Sequence, residues 1–266
     1  MSYIWFNGIV LWNDEGDTPN VGFVSETDLN GRTNVIEPLG DTTTNIYRGT
    51  KADNKTYSIV MRLGESNRMS LEELLTWWKT THATFGGLRT LTRKTDLGYV
   101  FTMEVVPASC QISFDGGGLA TVTQEYEAAT PWWKHATEQS VTTAFNAGAP
   151  VAVPCTNAGN IETWIRFDIN GLVTDPEVSY GADWSVEFLL DLTHIGDLLA
   201  VNCRTPASAW YTPNAGAITR AYGYRSETTS FRKAKLPTGT NNLTLLATAG
   251  NGAITIYWFN YYEALI

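Results

Sequence analysis

Few residues of this chain could do chemistry, and their spacing decides how far each can be taken. Glu26 to Glu37 reads ETDLNGRTNVIE. Oxygen-bearing side chains at loop positions 1, 3, 5 and 9, glycine at 6 and glutamate at 12 approximate a calcium loop. Position 1 is Glu where such loops carry Asp, and the flanks, Gly22-Phe23-Val24 and Pro38, are strand-like and helix-stopping. Without helices to hold it, the segment reads as an ordinary turn. No metal or cofactor is therefore expected, and Glu26, Asp28, Asn30 and Glu37 stand only as a fallback calcium set. Glu125 and Glu127 share a strand face. Paired carboxylates can do acid–base work in a glycosidase, and the competing reading is a solvated face. His82, His135 and His194 stand alone, and no G-x-S-x-G or Cys/His pairing supplies a nucleophile. No enzymatic activity is expected. Aromatic residues crowd the second half, where strands need them for a core. Trp210-Tyr211, just before Pro213, is the pair best placed to stack on a sugar ring.

The elements that must position these residues are mostly strands. Tyr3 to Trp12, Val21 to Ser25, Thr42 to Arg48 and Lys55 to Leu63 read as strands, with a polar loop at Gly49 to Asn54. Ser70 and Glu73 form an S-x-x-E capping box. Leu71, Leu74, Leu75, Trp78 and His82 then share one face, which predicts a helix over about 70–84. His82 on that face reads as a packed residue. Strands resume at Leu88 to Arg93, Tyr99 to Val106 and Cys110 to Phe114. A glycine turn at Asp115 to Gly118 leads into Leu119 to Glu127. Ser140 to Pro150 is small-residue and uncharged, which predicts a linker. The domains expected are 1–139, with the helix, and 151–266, nearly all strand and turn. The last segment, Leu236 to Ile266, predicts a closing hairpin: Leu243 to Thr248, a turn at Ala249-Gly250-Asn251-Gly252, then Ala253 to Asn260. Regular short strands between turn signals argue a β-sandwich or jelly roll.

Composition bounds the partners. The net charge is −9 and no basic patch marks a nucleic-acid binder. An acidic surface would also suit a conduit through which DNA slides without sticking. Charged residues are only 17%, low for a soluble monomer, which points to surface covered by partner chains. Cys110, Cys155 and Cys203 are far apart and odd in number, so buried free thiols and folding in a reducing compartment are expected. No signal-peptide pattern or membrane-spanning apolar run occurs, so no membrane insertion is expected.

The order of parts carries a resemblance. A β-rich first half with one helix leads through EYEAATPWWKHA to Asn157-Ala158-Gly159-Asn160, then Ile161 to Phe167, and closes on LPTGTNNLTLLATAGNGAITIYWFNYYEAL. This resembles the distal tail proteins of long-tailed siphophages over nearly the whole chain. The resemblance implies a structural virion protein at the tail tip, made in the bacterial cytoplasm. Such proteins form a homohexameric ring through their N-terminal domains around the DNA channel. A galectin-like or carbohydrate-module-like sandwich projects outward. The ring joins the tail-tube protein on one side to the tail-tip hub or fibre on the other, without catalysis. Gly40-Asp41-Thr42 departs from the family's usual step after the second strand, so the ring contact does not map residue by residue. Thr42, Thr44, Tyr47, Arg48 and Lys51 are the candidate ring interface, from their polar, flexible composition.

An alternative from another class is a carbohydrate-binding module for receptor recognition, with Trp210 and Tyr211 contacting a host surface glycan. A glycosidase ranks third, because it needs two carboxylates in a cleft.

Overall fold

In a computed structural model, the backbone is described for residues 3–6, 9–13, 21–29, 32–38, 45–52, 56–64, 70–82, 88–95, 97–130, 132–146, 148–204 and 206–263. In the strands before residue 56, the described side chains are Ile4, Phe6 and Leu11. The chain divides into two compact units, residues 1–136 with 263–266, and Thr137–Tyr262.

The first unit contains β1 (Tyr3–Phe6), β2 (Ile9–Asn13), β3 (Val21–Leu29), β4 (Arg32–Pro38), β5 (Asn45–Ala52) and β6 (Thr56–Gly64). Then come α1 (Leu71–Thr81), β7 (Arg89–Lys94), β8 (Val100–Gly116), β9 (Leu119–Ala128) and β10 (Trp133–His135). An antiparallel sheet runs in the order β2-β1-β7-β8-β9-β6-β3. β4 and β5 form a separate two-stranded ribbon. The polar loop expected at Gly49 to Asn54 is therefore strand as far as Ala52. The two strands expected on either side of Pro107 are one, because β8 absorbs the irregularity as a register shift between Pro107 and Cys110. Its turn uses Gly116, Gly117 and Gly118 at φ 80°, 60° and 75°, where a side chain would be strained.

Alternation builds the core of this sheet. Tyr57, Ile59, Met61 and Leu63 of β6 and Ala120, Val122, Gln124 and Tyr126 of β9 are buried. On the other face of β9, Thr121, Thr123 and Glu125 are half-buried and Glu127 is exposed. α1 begins where its capping box requires. The Glu73 N–H donates to Ser70 Oγ at 3.3 Å, and the Ser70 N–H donates to Glu73 Oε2 at 2.8 Å. The helix ends at Thr81, with His82 as its cap, and buries Leu74, Leu75 and Trp78.

His82 is the polar centre of this core. It stacks between Phe6 and Trp78, at centroid distances of 4.9 and 4.5 Å. Its Nδ1 faces Trp78 O at 2.9 Å, and a carbonyl only accepts, so Nδ1 carries the proton. Nε2 then accepts from the Tyr126 hydroxyl at 2.7 Å. Burial lowers the imidazole pKa to about 4, against a smaller upward pull from the Trp78 carbonyl. Burial also pushes Tyr126 well above the usual tyrosine range.

The second unit contains β11 (Gln139–Asn146), β12 (Val151–Asn157), β13 (Thr163–Trp164), β14 (Arg166–Thr174), β15 (Glu177–Tyr180), β16 (Trp184–Glu187) and β17 (Asp191–Leu192). It continues with β18 (Leu198–Asn202), β19 (Ser208–Thr212), β20 (Thr219–Arg220), a 3-10 turn at Ala221–Tyr224, β21 (Lys235–Leu236), β22 (Gly239–Leu246), β23 (Ala249–Trp258) and β24 (Tyr261–Tyr262). One sheet runs β11-β23-β14-β18-β19-β20, with β17 also on β14. A second runs β12-β22-β15-β16, and β13-β21 is a short ribbon. Phe167, Ile169, Val201, Ile254 and Ile256 of the first sheet share one buried cluster with Val153, Val178, Val186, Leu243 and Leu245 of the second. The unit is a two-sheet sandwich.

Three expectations change here. The linker expected at 140–150 holds β11, which pairs with β23 from Gln139↔Trp258 to Asn146↔Asn251. An edge strand buries few side chains, so its small residues read as linker. The boundary between units falls instead between Ala136 and Thr137. The closing hairpin is not a hairpin: β22 pairs with β12 and β15, whereas β23 pairs with β11 and β14. The chain changes sheets between them. The glycines expected to make that turn sit inside β23 and let β14 approach. A Cβ on Gly250 would lie 1.8 Å from Leu172 O, and one on Gly252 would lie 2.2 Å from Asn170 O. Finally, Cys155 and Cys203 are buried free thiols pushed by burial up to about 12, but Cys110 is exposed.

The neutral His82 gives the first unit a pH dependence. The unfolded chain, with an imidazole pKa near 6.5, takes up a proton that the folded core refuses until about 4. Stability from this residue is therefore full above pH 6.5, falls as pH drops towards 4, and then levels. The whole span amounts to about 3 kcal/mol. Thermal melts at pH 7.5 and 5 should show the loss, and His82→Phe should melt lower at pH 7.5 but with a flatter profile. An unchanged slope in that variant would remove His82 as the source.

Candidate functional site

Two loops marked in the sequence turn out to be scaffolding. Asn157 is buried, and its Nδ2 donates to Ile161 O at 2.9 Å and Leu236 O at 3.2 Å. Its Oδ1 accepts from the Gly159 N–H at 3.0 Å. Gly159 lies against β24, where a Cβ would come within 2.3 Å of Tyr261 O. At the other loop, Asn241 is also buried. Its Nδ2 donates to Pro237 O and Gly239 O, both at 2.9 Å, and its Oδ1 accepts from the Tyr180 hydroxyl at 3.1 Å. These amides satisfy loop carbonyls that water cannot reach.

The Pro237–Asn241 loop is one wall of a cleft of about 440 Å³. A second wall is the β15–β16 turn. Tyr180 and Trp184 pair across it, with rings 6.4 Å apart and tilted by 31°. Trp184 is buried, and its Nε1–H donates to Lys235 O at 3.0 Å, tying that turn to the β13–β21 ribbon. On the ribbon, Lys235 pairs with Glu162 and lies over the Trp164 ring at 4.6 Å. Asp183, Arg232 and Lys233 line the mouth and are exposed. Among the described residues the Arg232 and Lys233 side chains make no hydrogen bond or ion pair.

Trp210 and Tyr211, the expected sugar platform, are held differently from one another. Trp210 is 40% exposed, with the Arg220 guanidinium 5.6 Å from its ring centre. Tyr211 is half-buried and spends its hydroxyl on Asp197 Oδ2, at 3.0 Å. Asp197 is fully buried and also accepts from the N–H groups of Thr193 at 2.8 Å, His194 at 3.1 Å and Asn214 at 2.8 Å. Burial works to raise this carboxyl, but the four donors outweigh it and hold the group below its ordinary 3.8. Tyr211 is thus a loop brace, and Trp210 alone offers a face.

The other candidates are dispersed. Glu26 and Asp28 lie on β3 and Glu37 on β4, while Asn30 is outside the described residues. β3 is laddered to β6 and β4 to β5, so Glu26 and Asp28 stand on one sheet and Glu37 on a separate ribbon. Thr42 and Thr44 are also outside the described residues. Tyr47 sits opposite Ile36 and Lys51 opposite Thr33 on the β4–β5 ribbon, with Arg48 at its register shift. Glu125 Oε2 accepts from Ser109 Oγ at 2.6 Å, and Glu127 is exposed. His135 packs edge-on to Phe101 at 5.5 Å. Sequence reasoning passed over the cleft, although a signal for it exists. Phe231-Arg232-Lys233-Ala234-Lys235 is a basic cluster in an acidic chain.

No protein-family model matches the chain, and no curated protein matches it in sequence. Solved structures do match. The SPP1 Dit (gp 19.1) protein, described as a paradigm of the hub adsorption apparatus in phages infecting Gram-positive hosts, superposes with a TM-score of 0.67. The match covers 98% of this chain and 99% of that one, at 11% identity. The two chains share a fold. A chain of the phage P2 baseplate, in its activated conformation with Ca, matches with a TM-score of 0.50 over 100% of both chains, also at 11% identity. The sequence markers at Asn157 to Asn160 and Pro237 to Asn241 are, in this fold, loops braced by buried amides.

Asp197 offers a direct check of this reading of Tyr211. Asp197→Ala leaves four donors without an acceptor and should cost on the order of 3 kcal/mol. Tyr211→Phe, which removes one of the four, should cost about 1 kcal/mol. Because the folded carboxyl titrates low, its contribution is present above pH 3.8 and is lost as pH falls through the lower folded value. Urea unfolding of both variants at pH 7 would read the difference, and equal costs would reject the brace.

Proposed function

We propose that this protein is a structural subunit of a phage tail tip, a ring-forming hub between the tail tube and the distal adsorption apparatus. The end-to-end likeness to the SPP1 Dit protein carries this reading, because the alignment leaves almost none of either chain unmatched. Local features support it. His82 is packed in the core and Glu125 is held by Ser109. The acidic balance of 27 Asp and Glu to 18 Lys and Arg suits a passage for DNA, since like charge keeps the polymer from adhering.

In this proposal the first unit makes the ring, as a homohexamer, and the β4–β5 ribbon is its contact. A two-stranded ribbon is marginal alone and gains stability by laying its edge or face on a neighbour. Tyr47, Arg48 and Lys51 lie on that ribbon. The second unit is the outward sandwich.

Mass photometry of the purified chain should give six times its 29.3 kDa mass, and negative-stain images should show rings with a central hole. Deleting residues 32–52 should yield a monomer that keeps the second unit's melting transition. A full-length chain that is monomeric at micromolar concentration and binds neutral glycans would favour the receptor-module reading instead. A deletion that still forms rings would move the contact elsewhere.

A further inference from the structure

We infer that the cleft between the β15–β16 turn and the β13–β21 ribbon is a binding site for an acidic saccharide. Four observations converge on it. Its volume of about 440 Å³ falls within the range of small-molecule sites. Arg232 and Lys233 stand at its mouth, exposed and without partners among the described residues, in a chain whose net charge is −9. An unpaired guanidinium beside an ammonium suits a carboxylate or phosphate, which the guanidinium can take with two N–H groups. Tyr180 is half-buried and its hydroxyl is fixed on Asn241, which immobilises the ring as an apolar wall for the C–H face of a sugar. Asp183 and Glu162 are exposed carboxylates on the same rim and accept hydroxyl hydrogen bonds.

The cleft is also built rather than incidental. Trp184 is clamped to the ribbon backbone through Nε1, and Asn241 fixes the opposite loop through three hydrogen bonds. Binding there would cost little side-chain ordering, save at Arg232 and Lys233. The Lys235–Glu162 pair leaves its own charges matched, so Arg232 and Lys233 outweigh Asp183 and the remaining charge at the mouth is positive. A neutral sugar would leave the two cations unused, and an anion without hydroxyls would leave the carboxylates facing it. An acidic sugar satisfies both sets.

This inference does not rest on the tail-tip reading. A ring that binds nothing in the cleft leaves that reading standing, and a monomer that binds would do the reverse. Titration calorimetry of the full chain should show saturable heat with trigalacturonic acid or glucose 6-phosphate and none with maltotriose. The first two ligands separate carboxylate from phosphate as the preferred anion. Arg232→Glu with Lys233→Glu should weaken binding by at least about tenfold without moving the melting temperature, since both side chains are exposed. Should that pair fold poorly, Arg232→Gln with Lys233→Gln removes the charge without adding repulsion. Equal binding of maltotriose, no binding of either acidic ligand, or undiminished binding by the charge variants would overturn the inference. So would adenosine monophosphate binding more tightly than both acidic sugars.

Discussion

The second unit depends on the ladder between β14 and β23, which pairs nine residues from Arg166↔Tyr257 to Thr174↔Ala249. This ladder lies inside its sheet, with β11 beyond β23 and β18 beyond β14. Its inward residues Phe167, Ile169, Val173, Ile254 and Ile256 are all buried. The two strands meet so closely at one end that Gly171, Gly250 and Gly252 carry no side chain. One consequence follows from that approach. The chain cannot turn at those glycines, so β22 and β23 part company into different sheets. At the opposite end of β22, Pro237 and the β15–β16 turn line the cleft.

The first unit solves a different problem. Its core holds an imidazole, and a buried polar ring must have both nitrogens satisfied. The Trp78 carbonyl and the Tyr126 hydroxyl do this while Phe6 and Trp78 cover the ring faces. Three separate elements, β1, α1 and β9, thus converge on one neutral group. The arrangement positions the helix on the sheet more specifically than apolar contact would, because each hydrogen bond has a direction.

Buried polar side chains recur as the devices that shape surface loops. Asn157, Asn241 and Asp197 are all buried and each binds backbone or hydroxyl groups of a neighbouring loop. Each stabilises an irregular segment whose backbone groups have no ladder partner. Tyr180 and Tyr211 are the visible ends of two of these networks. Their hydroxyls face inward, which leaves Tyr180 as a fixed wall and takes Tyr211 out of the list of free aromatic contacts.

The sequence by itself determined what local chemistry determines. Strand-like runs bounded by turn signals marked β6, β9 and the strand-rich texture of the second unit. The Ser70–Glu73 box marked the start of α1, and the apolar face of that helix placed His82 in a core. The order of parts resembled a tail-tip family, and the fold agrees with that resemblance. Only the tertiary structure decided which strands pair. β11 read as linker because an edge strand of small residues buries little. The last two long strands read as a hairpin because glycine and asparagine signal a turn whether they make one or admit a neighbouring strand. The cleft was out of reach for the same reason: Glu162, the Tyr180–Trp184 turn and Arg232 come from three segments distant in the chain. Alternation reports which face of a strand is buried. It does not report which partner covers it, because backbone hydrogen bonds are alike at every residue and loop closure penalises distance only slowly.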